Sequence, residues 1–474
     1  MLPFRLMTLV LLVLLGSNYA YGQTPTGPPP PTGAKAARLD SLFSAHLARG
    51  EFNGNVLIAE GGRVILKKSY GRAQQNPDVP LNTDTRFDLA SVSKAFTAMG
   101  IVQLKREGKL AYTDPVAKYI PELKKYRGVS VGDLVHHTGG LPDYMEVMRT
   151  HWDKSKIATN DDVIRMFQAK RPKREFKPGK QYSYSNTGYL LLATVIERVS
   201  GQSYGEYLNR KIFEPLSMTR TQVYRSAYDP ARIDNRADGH EYSSELKRDA
   251  TPAELGPDND YIYLDGIVGD GMVNSTLEDL FKWDRALYDN DFISAEDRST
   301  IFAPSATKSG EEVAYGFGWQ LREDERYGKR SYHSGRWAGF IAWFERHMDQ
   351  DKTIIILTNY DGRVSTLATG NVRRILYDRP LPRAFELPEA ELKRFTGTYL
   401  NEDGEAEKIV YELGRLWSNG DYELKPLADK RFAVVGFRPQ VIYTFDVGED
   451  GRVSSVRIKQ EGTGVDRLKT RKPD

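Results

Sequence analysis

Residues 87–104 read Phe87-Asp-Leu-Ala-Ser91-Val-Ser-Lys94-Ala-Phe-Thr-Ala-Met-Gly-Ile-Val-Gln-Leu104. Val92, Ala95, Phe96, Ala98, Met99, Ile101, Val102 and Leu104 cover most of a helical circumference. A helix apolar nearly all round must be buried, so Thr83–Lys109 holds the central helix of the fold. Gly108 stops it. At its start Ser91 and Lys94 stand three residues apart, which puts both side chains on one face, one turn apart. The N-terminal end of a helix also favours negative charge developing on an attacking oxygen.

Outward from this helix, the chain supplies its layers. A helical pattern runs through Leu39, Leu42, Phe43, His46 and Leu47. Asn55–Glu60 and Arg63–Lys68 are strand-like runs across Gly61-Gly62, a hairpin signal. Gly339–Arg346 and Thr353–Asn359 form a second hairpin around Asp349-Gln-Asp-Lys352. Between the hairpins, Asp114 to Asp289 reads mainly as helices and long loops. Strands at both ends with helices between predict a layer assembled from distant segments. After the linker Asp378-Arg-Pro-Leu-Pro382 the pattern changes. Arg394–Leu400, Ile409–Leu413, Tyr422–Leu427, Arg431–Val435, Val441–Val447 and Val453–Lys459 are short strand candidates, punctuated by glycines. They predict a small antiparallel β-domain, barrel or sandwich. The basic tail Arg467, Lys469, Arg471, Lys472 reads as a solvated end.

The chain has 474 residues and a formal net charge of +3 from 67 basic and 64 acidic side chains. So balanced a surface carries no electrostatic footprint for nucleic acid. It has no cysteine, which excludes disulfides, thiol catalysis, Cys-ligated zinc, iron–sulfur clusters and a lipid-modified N-terminal Cys. Residues 1–22 read as a secretory signal: Arg5 is the positive region, Leu6–Leu15 the apolar region, and Ala20-Tyr21-Gly22 the cleavage site. That apolar run is shorter than the ~20 residues of a membrane span, and no later stretch serves as an anchor. A periplasmic or secreted protein is expected. Residues 23–36 form a Pro-rich tether, 37–379 the main domain and 385–474 the β-domain.

Several motifs recur, and context selects among them. Ser-x-x-Lys occurs at Ser91–Lys94, Ser244–Lys247 and Ser305–Lys308, and only the first opens a buried helix. Tyr-x-Asn occurs at Tyr184–Asn186, Tyr207–Asn209, Tyr288–Asn290 and Tyr399–Asn401. The first of these lies in an extended loop, Pro178-Gly-Lys-Gln-Tyr-Ser-Tyr-Ser-Asn-Thr-Gly188, leading into an apolar run. His-x-Gly occurs at His137–Gly139 and at His333–Gly335, the latter ending a short run just before the second hairpin. The adjacent pair His136-His137 has no third ligand spaced nearby, so it reads as loop structure and no metal is expected.

The ordered series Phe87-Asp-Leu-Ala-Ser-Val-Ser-Lys94, Leu134-Val-His-His-Thr-Gly-Gly-Leu141, Tyr184-Ser-Asn186, Tyr315-Gly-Phe-Gly-Trp319 and His333-Ser-Gly335 resembles the serine β-lactamase-related family. That family includes class C β-lactamases, DD-peptidases, penicillin-binding proteins and esterases. The resemblance covers roughly Ala37–Asp378, and the region after Pro382 is similar to the lipocalin-like domain that often follows such hydrolases. It implies an α+β fold: an antiparallel sheet flanked by helices, a helical subdomain, and then a small all-β barrel-like domain. It implies Ser91 as the acylated nucleophile, and Lys94 and Tyr184 as its proton-transfer partners. Asn186 would orient the substrate, with His333, Ser334, Gly335 and Arg336 lining it. The oxyanion hole would be the backbone N–H groups of Ser91 and Arg336.

General chemistry agrees, because a serine hydroxyl needs a base to become a nucleophile. A phenol and an amine side by side in a cleft can supply one, since each perturbs the other's proton affinity. Which of the two acts stays open at this point. The expected activity is acylation and deacylation of D-residue peptides or amides, or of small esters, without a cofactor. A β-lactamase and a catalytically silent ligand-binding protein are the alternatives. Two departures bear on specificity. Lys308-Ser-Gly310 also matches a third motif but precedes Tyr315, and Asp270 stands in Gly269-Asp-Gly-Met-Val-Asn-Ser-Thr276 where relatives usually carry a small residue.

Overall fold

Both hairpins form, and they join into one sheet. The computed structural model describes residues 33–382, 385–435, 439–460 and 462–472. In it β1 (Gly54–Glu60) pairs with β2 (Arg63–Tyr70). Four strands follow late in the chain: β3 (Gln320–Asp324), β4 (Gly328–Trp337), β5 (Phe340–His347) and β6 (Lys352–Thr358). The sheet order is β3-β4-β5-β6-β1-β2, every neighbour antiparallel, with Ile58 of β1 opposite Ile354 of β6. The first and last parts of the domain therefore meet at the middle of the sheet.

The helices that cover it are α1 (Ala34–Ala48), α2 (Lys94–Arg106), α3 (Asn186–Ser200) and α4 (Thr369–Leu376). Side chains of a strand alternate between faces. Val56, Ile58, Ile354 and Ile356 accordingly pack against Leu39 and Phe43 of α1 and Val372 and Ile375 of α4. Leu57, Ala59, Ile355 and Leu357 face the other way, into the large core that holds Phe96 and Met99 of α2 and Leu191 of α3. α2 is buried on nearly all sides, as its sequence requires.

Local departures have local causes. The turn before α2 is a 3₁₀ segment, Ala90–Ser93, so Ser91 precedes the α-helix instead of opening it. His333 lies in the middle of the ten-residue strand β4, not at the end of a short run. α1 begins at Ala34, inside the stretch expected to be tether, because Ala36 is buried and Lys35 bonds Glu60 and the Leu376 carbonyl. The rest of that tether and the expected signal, residues 1–32, lie outside the described residues. Among the described residues no helix is long and apolar enough to cross a membrane.

The C-terminal part is a closed eight-stranded antiparallel barrel of β7 (Gly397–Leu400), β8 (Ala406–Glu412), β9 (Arg415–Ser418), β10 (Tyr422–Ala428), β11 (Arg431–Val434), β12 (Val441–Val447), β13 (Val453–Gln460) and β14 (Val465–Arg471). Two of these strands, β9 and β14, were not among the six candidates. Arg394 ends a helix, Glu389–Arg394, rather than starting a strand. The basic tail is not a solvated end. It forms β14, which closes the barrel between β13 and β7 and turns Lys469 inward to Glu407.

Candidate active site

Five segments converge on Ser91. Asp88 Oδ1 accepts the Ala90 N–H at 2.7 Å, and Ala90 takes a φ of 45°, so the turn that carries Ser91 is tied from behind. Burial pushes the Asp88 carboxyl up to about 6 even with Arg236 beside it. Strand β4 crosses directly in front of this turn. A Cβ on Gly335 would lie 2.1 Å from the Leu89 carbonyl oxygen and 2.9 Å from the Ser91 nitrogen, so only glycine lets the strand pass. Gly318, at φ 78°, likewise presses the Tyr315–Trp319 turn onto the start of α2, with Ala95 N 2.6 Å from a notional Cβ.

Lys94 is fully buried, and its Nζ donates to Ser91 Oγ at 3.0 Å and to the Asp270 carbonyl at 2.7 Å. The same Nζ stands 5.1 Å from the Tyr184 ring centroid and 5.7 Å from that of Tyr189. Tyr184 is 39% exposed, so its ring meets both this cation and solvent. It sits in the loop just ahead of α3, where Ser185 caps the helix by accepting the Gly188 N–H at 3.2 Å. Asn186 is the first residue of that helix. Its Nδ2 touches Met145 Sδ at 3.9 Å, and its buried Oδ1 has no partner among the described residues.

Three histidines surround the site, and each bonds within the protein. His136 and His137 diverge: Nδ1 of His136 bonds the Tyr315 carbonyl at 2.9 Å, and His137 turns inward. His137 Nδ1 accepts the Ser185 N–H at 3.0 Å, and its ring lies 4.5 Å from Tyr184 and 4.4 Å from Tyr315. Burial, with Lys94 nearby, holds it neutral, well below the usual histidine range. The sequence reads the His136-His137 pair as loop structure, and the signal for a place at the site is only the Leu134–Leu141 motif around it. His333 is buried to the same degree as His137. Burial, with Lys94 again, pushes it down to about 3. Its Nδ1 contacts the Ser334 carbonyl at 2.6 Å and its Nε2 the Tyr315 hydroxyl at 3.0 Å. A carbonyl only accepts, so the proton is on Nδ1 and Nε2 accepts from Tyr315.

In front of Ser91 opens a cleft with about 410 Å³ of empty space, its mouth included. Ala90, Ser91, Asn186 and Arg336 line it, with an apolar wall of Met145, Leu264, Ile267 and Met272 and, at its side, Asp270 and Tyr144. The Arg336 guanidinium is held by Asp361, Nη2 to Oδ1 at 2.6 Å. Ser334 stays within β4, paired to Trp343. The competing motifs go elsewhere. Ser244 sits in a turn after the strand His240–Ser243, Ser305 in a two-residue strand, and Tyr399 in the barrel. Lys308 lies along Gly179 and does not line the cleft.

Sheet, buried helix and Ser91 cleft define a serine hydrolase of the β-lactamase and penicillin-binding type. The chain matches the family described as Beta-lactamase over residues 39–378 and belongs to it. It is 37% identical over 455 residues to Penicillin-binding protein 4* of Bacillus subtilis, covering 92% of this chain and 99% of that one. Protein flp of Staphylococcus aureus is 28% identical over 330 residues, 68% of this chain and 62% of its own. Among solved structures, the octameric penicillin-binding protein homologue from Pyrococcus abyssi covers 92% of this chain and all of its own, at TM-score 0.65 and 22% identity. D-amino acid amidase from Ochrobactrum anthropi SV3 covers 73% of this chain and 98% of its own, at TM-score 0.60 and 24% identity. The family match and the relatives make this chain a hydrolytic enzyme.

Proposed function

We propose that the chain is an exported hydrolase working through an acyl-enzyme at Ser91 on peptides or amides that contain a D-residue, or on small esters. The observation that carries this reading is the 3.0 Å contact between Lys94 Nζ and Ser91 Oγ at the edge of an open cleft. Ser91 Oγ gives its proton to the Lys94–Tyr184 pair as it bonds the substrate carbonyl carbon. The carbonyl oxygen, now an anion, is met by the backbone N–H groups of Ser91 and Arg336, which β4 carries against the Ser91 turn at Gly335. The pair returns the proton to the leaving amine or alcohol, leaving an ester on Ser91. Water then attacks that ester by the same route and releases the acid.

Dedicated β-lactamase activity draws less support, since the third motif offers a neutral imidazole in place of a permanent cation for the carboxylate of a penicillin. Export rests on the composition of residues 1–22. The test is a fluorophosphonate probe followed by peptide mass spectrometry. The adduct should fall on the Ser91 peptide, and Ser91→Ala should lose both the adduct and at least about 10³-fold in turnover of D-alanine p-nitroanilide. An adduct on Ser244 or Ser305, or full activity in Ser91→Ala, refutes the assignment.

A further inference from the structure

The cleft in front of Ser91 is walled by Met145, Leu264, Ile267 and Met272, yet it holds a carboxylate. Asp270 projects from the loop whose backbone carbonyl receives Lys94, and its Oδ2 accepts the Tyr144 hydroxyl at 3.0 Å. Among the described residues no lysine or arginine nitrogen comes within ion-pair distance of that carboxylate. Lys94 Nζ is instead committed to Ser91 Oγ and to the Asp270 main chain. The cleft's other cation, Arg336, is engaged by Asp361. A carboxylate in so apolar a pocket is costly unless something cationic meets it, and burial pushes the Asp270 carboxyl upward against the pull of the Lys94 charge. The same cleft contains an acceptor with no donor among the described residues, the buried Oδ1 of Asn186. A carboxylate with no close cation and an amide oxygen without a donor, both beside the nucleophile, call for a ligand that brings N–H groups and positive charge.

We propose that Asp270, together with Asn186, is the recognition point for a protonated amine on the acyl side of the substrate. It rests on the Ser91 reading above and narrows the substrate class. The enzyme takes amides and esters whose acyl group carries a free amine close to the carbonyl, with an apolar side chain against Leu264, Ile267 and Met272. An ammonium has three donors, enough for the Asp270 carboxylate and for Asn186 Oδ1 at once. The amine must be close to the carbonyl carbon because Ser91, Asn186 and Asp270 line one small cleft. An N-acylated substrate presents a neutral, bulkier group there, and an acyl carboxylate would meet Asp270 as a like charge.

The test compares kcat/KM for D-alanine p-nitroanilide and its N-acetyl derivative in the wild type, Asp270→Asn and Asp270→Ser. The wild type should favour the free amine by at least about 10-fold, and both variants should lose most of that ratio. Taking the ratio within each protein removes any general change in activity. A wild-type ratio at or below one, or a ratio unchanged in both variants, overturns the proposal. If neither variant folds by circular dichroism, the wild type decides. D-alaninamide should protect Ser91 from the fluorophosphonate at least about 10-fold better than N-acetyl-D-alaninamide, and equal protection overturns the proposal. Labelling of Ser91 without turnover of either p-nitroanilide overturns this inference and leaves the Ser91 reading standing. Absence of labelling overturns the Ser91 reading itself, and this inference with it.

Discussion

His333 uses both ring nitrogens inside the protein, one on the Ser334 carbonyl and one on the Tyr315 hydroxyl. Its part is to hold β4 and the Tyr315 turn together beside Lys94. A cation at this position would cost desolvation and meet Lys94 as a like charge, so the ring stays neutral down to about pH 3. Substrate binding should therefore show no His333 titration between pH 5 and 8. Nitrogen NMR on histidine-labelled protein should find a neutral ring with the proton on Nδ1 across that range. A ring protonating near pH 6.5 would mean that solvent reaches it and that it does not tie β4 to the Tyr315 turn. The motif around His333 was visible in sequence, but its charge state was not. Burial, with the Lys94 charge nearby, sets that state.

At the scale of elements, β5 carries a buried carboxylate, Glu345, between β4 and α4. Burial alone would raise its pKa, but the His347 ring 3.2 Å away and the hydrogen bonds from Arg373 more than offset this and bring it from 4.5 to about 2. A carboxyl that ionises more readily folded than unfolded adds stability above the unfolded value, near 4.5. That stability is lost as pH falls from there toward about 2. The contribution is on the order of 3 kcal/mol. The urea midpoint of the wild type should drop between pH 5 and pH 3, and Glu345→Gln should flatten that drop while being less stable at pH 7. An equally steep drop in Glu345→Gln would assign it to other carboxylates. The two hairpins around this element were legible, since their apolar runs and turns are local signals. β14 was not, because an inward lysine paired to Glu407 breaks the apolar alternation by which a strand is recognised.

Over the whole molecule, the barrel meets the hydrolase domain through a few charged and aromatic contacts. Arg415 of β9 pairs with the buried Glu51, and Arg363 bonds Glu412 at 2.6 Å and stacks 3.7 Å over Trp417. The apolar cores of the two parts are separate. A chain ending at Asp378 should therefore stay soluble and keep Ser91 reactive to the fluorophosphonate, with Tm lower by about 2–8 °C from the lost contacts. Insolubility, or loss of labelling in a soluble truncated chain, would mean that the barrel completes the hydrolase core.

The sequence by itself determined the central helix, both hairpins, the change to short strands after Pro382, and the order of motifs that marks the family. Each of these is written in residues close together, where periodicity, turn chemistry and spacing operate. Only the tertiary structure decided that Ser91 precedes the α-helix, that His333 is neutral and that His137 backs Tyr184. It also decided that Asp270 enters the Ser91 cleft with its carboxylate bonded to the Tyr144 hydroxyl. These properties arise when segments far apart in the chain are pressed together. Burial and the groups that bury a side chain then set its charge and its hydrogen bonds, and no local stretch of sequence records them.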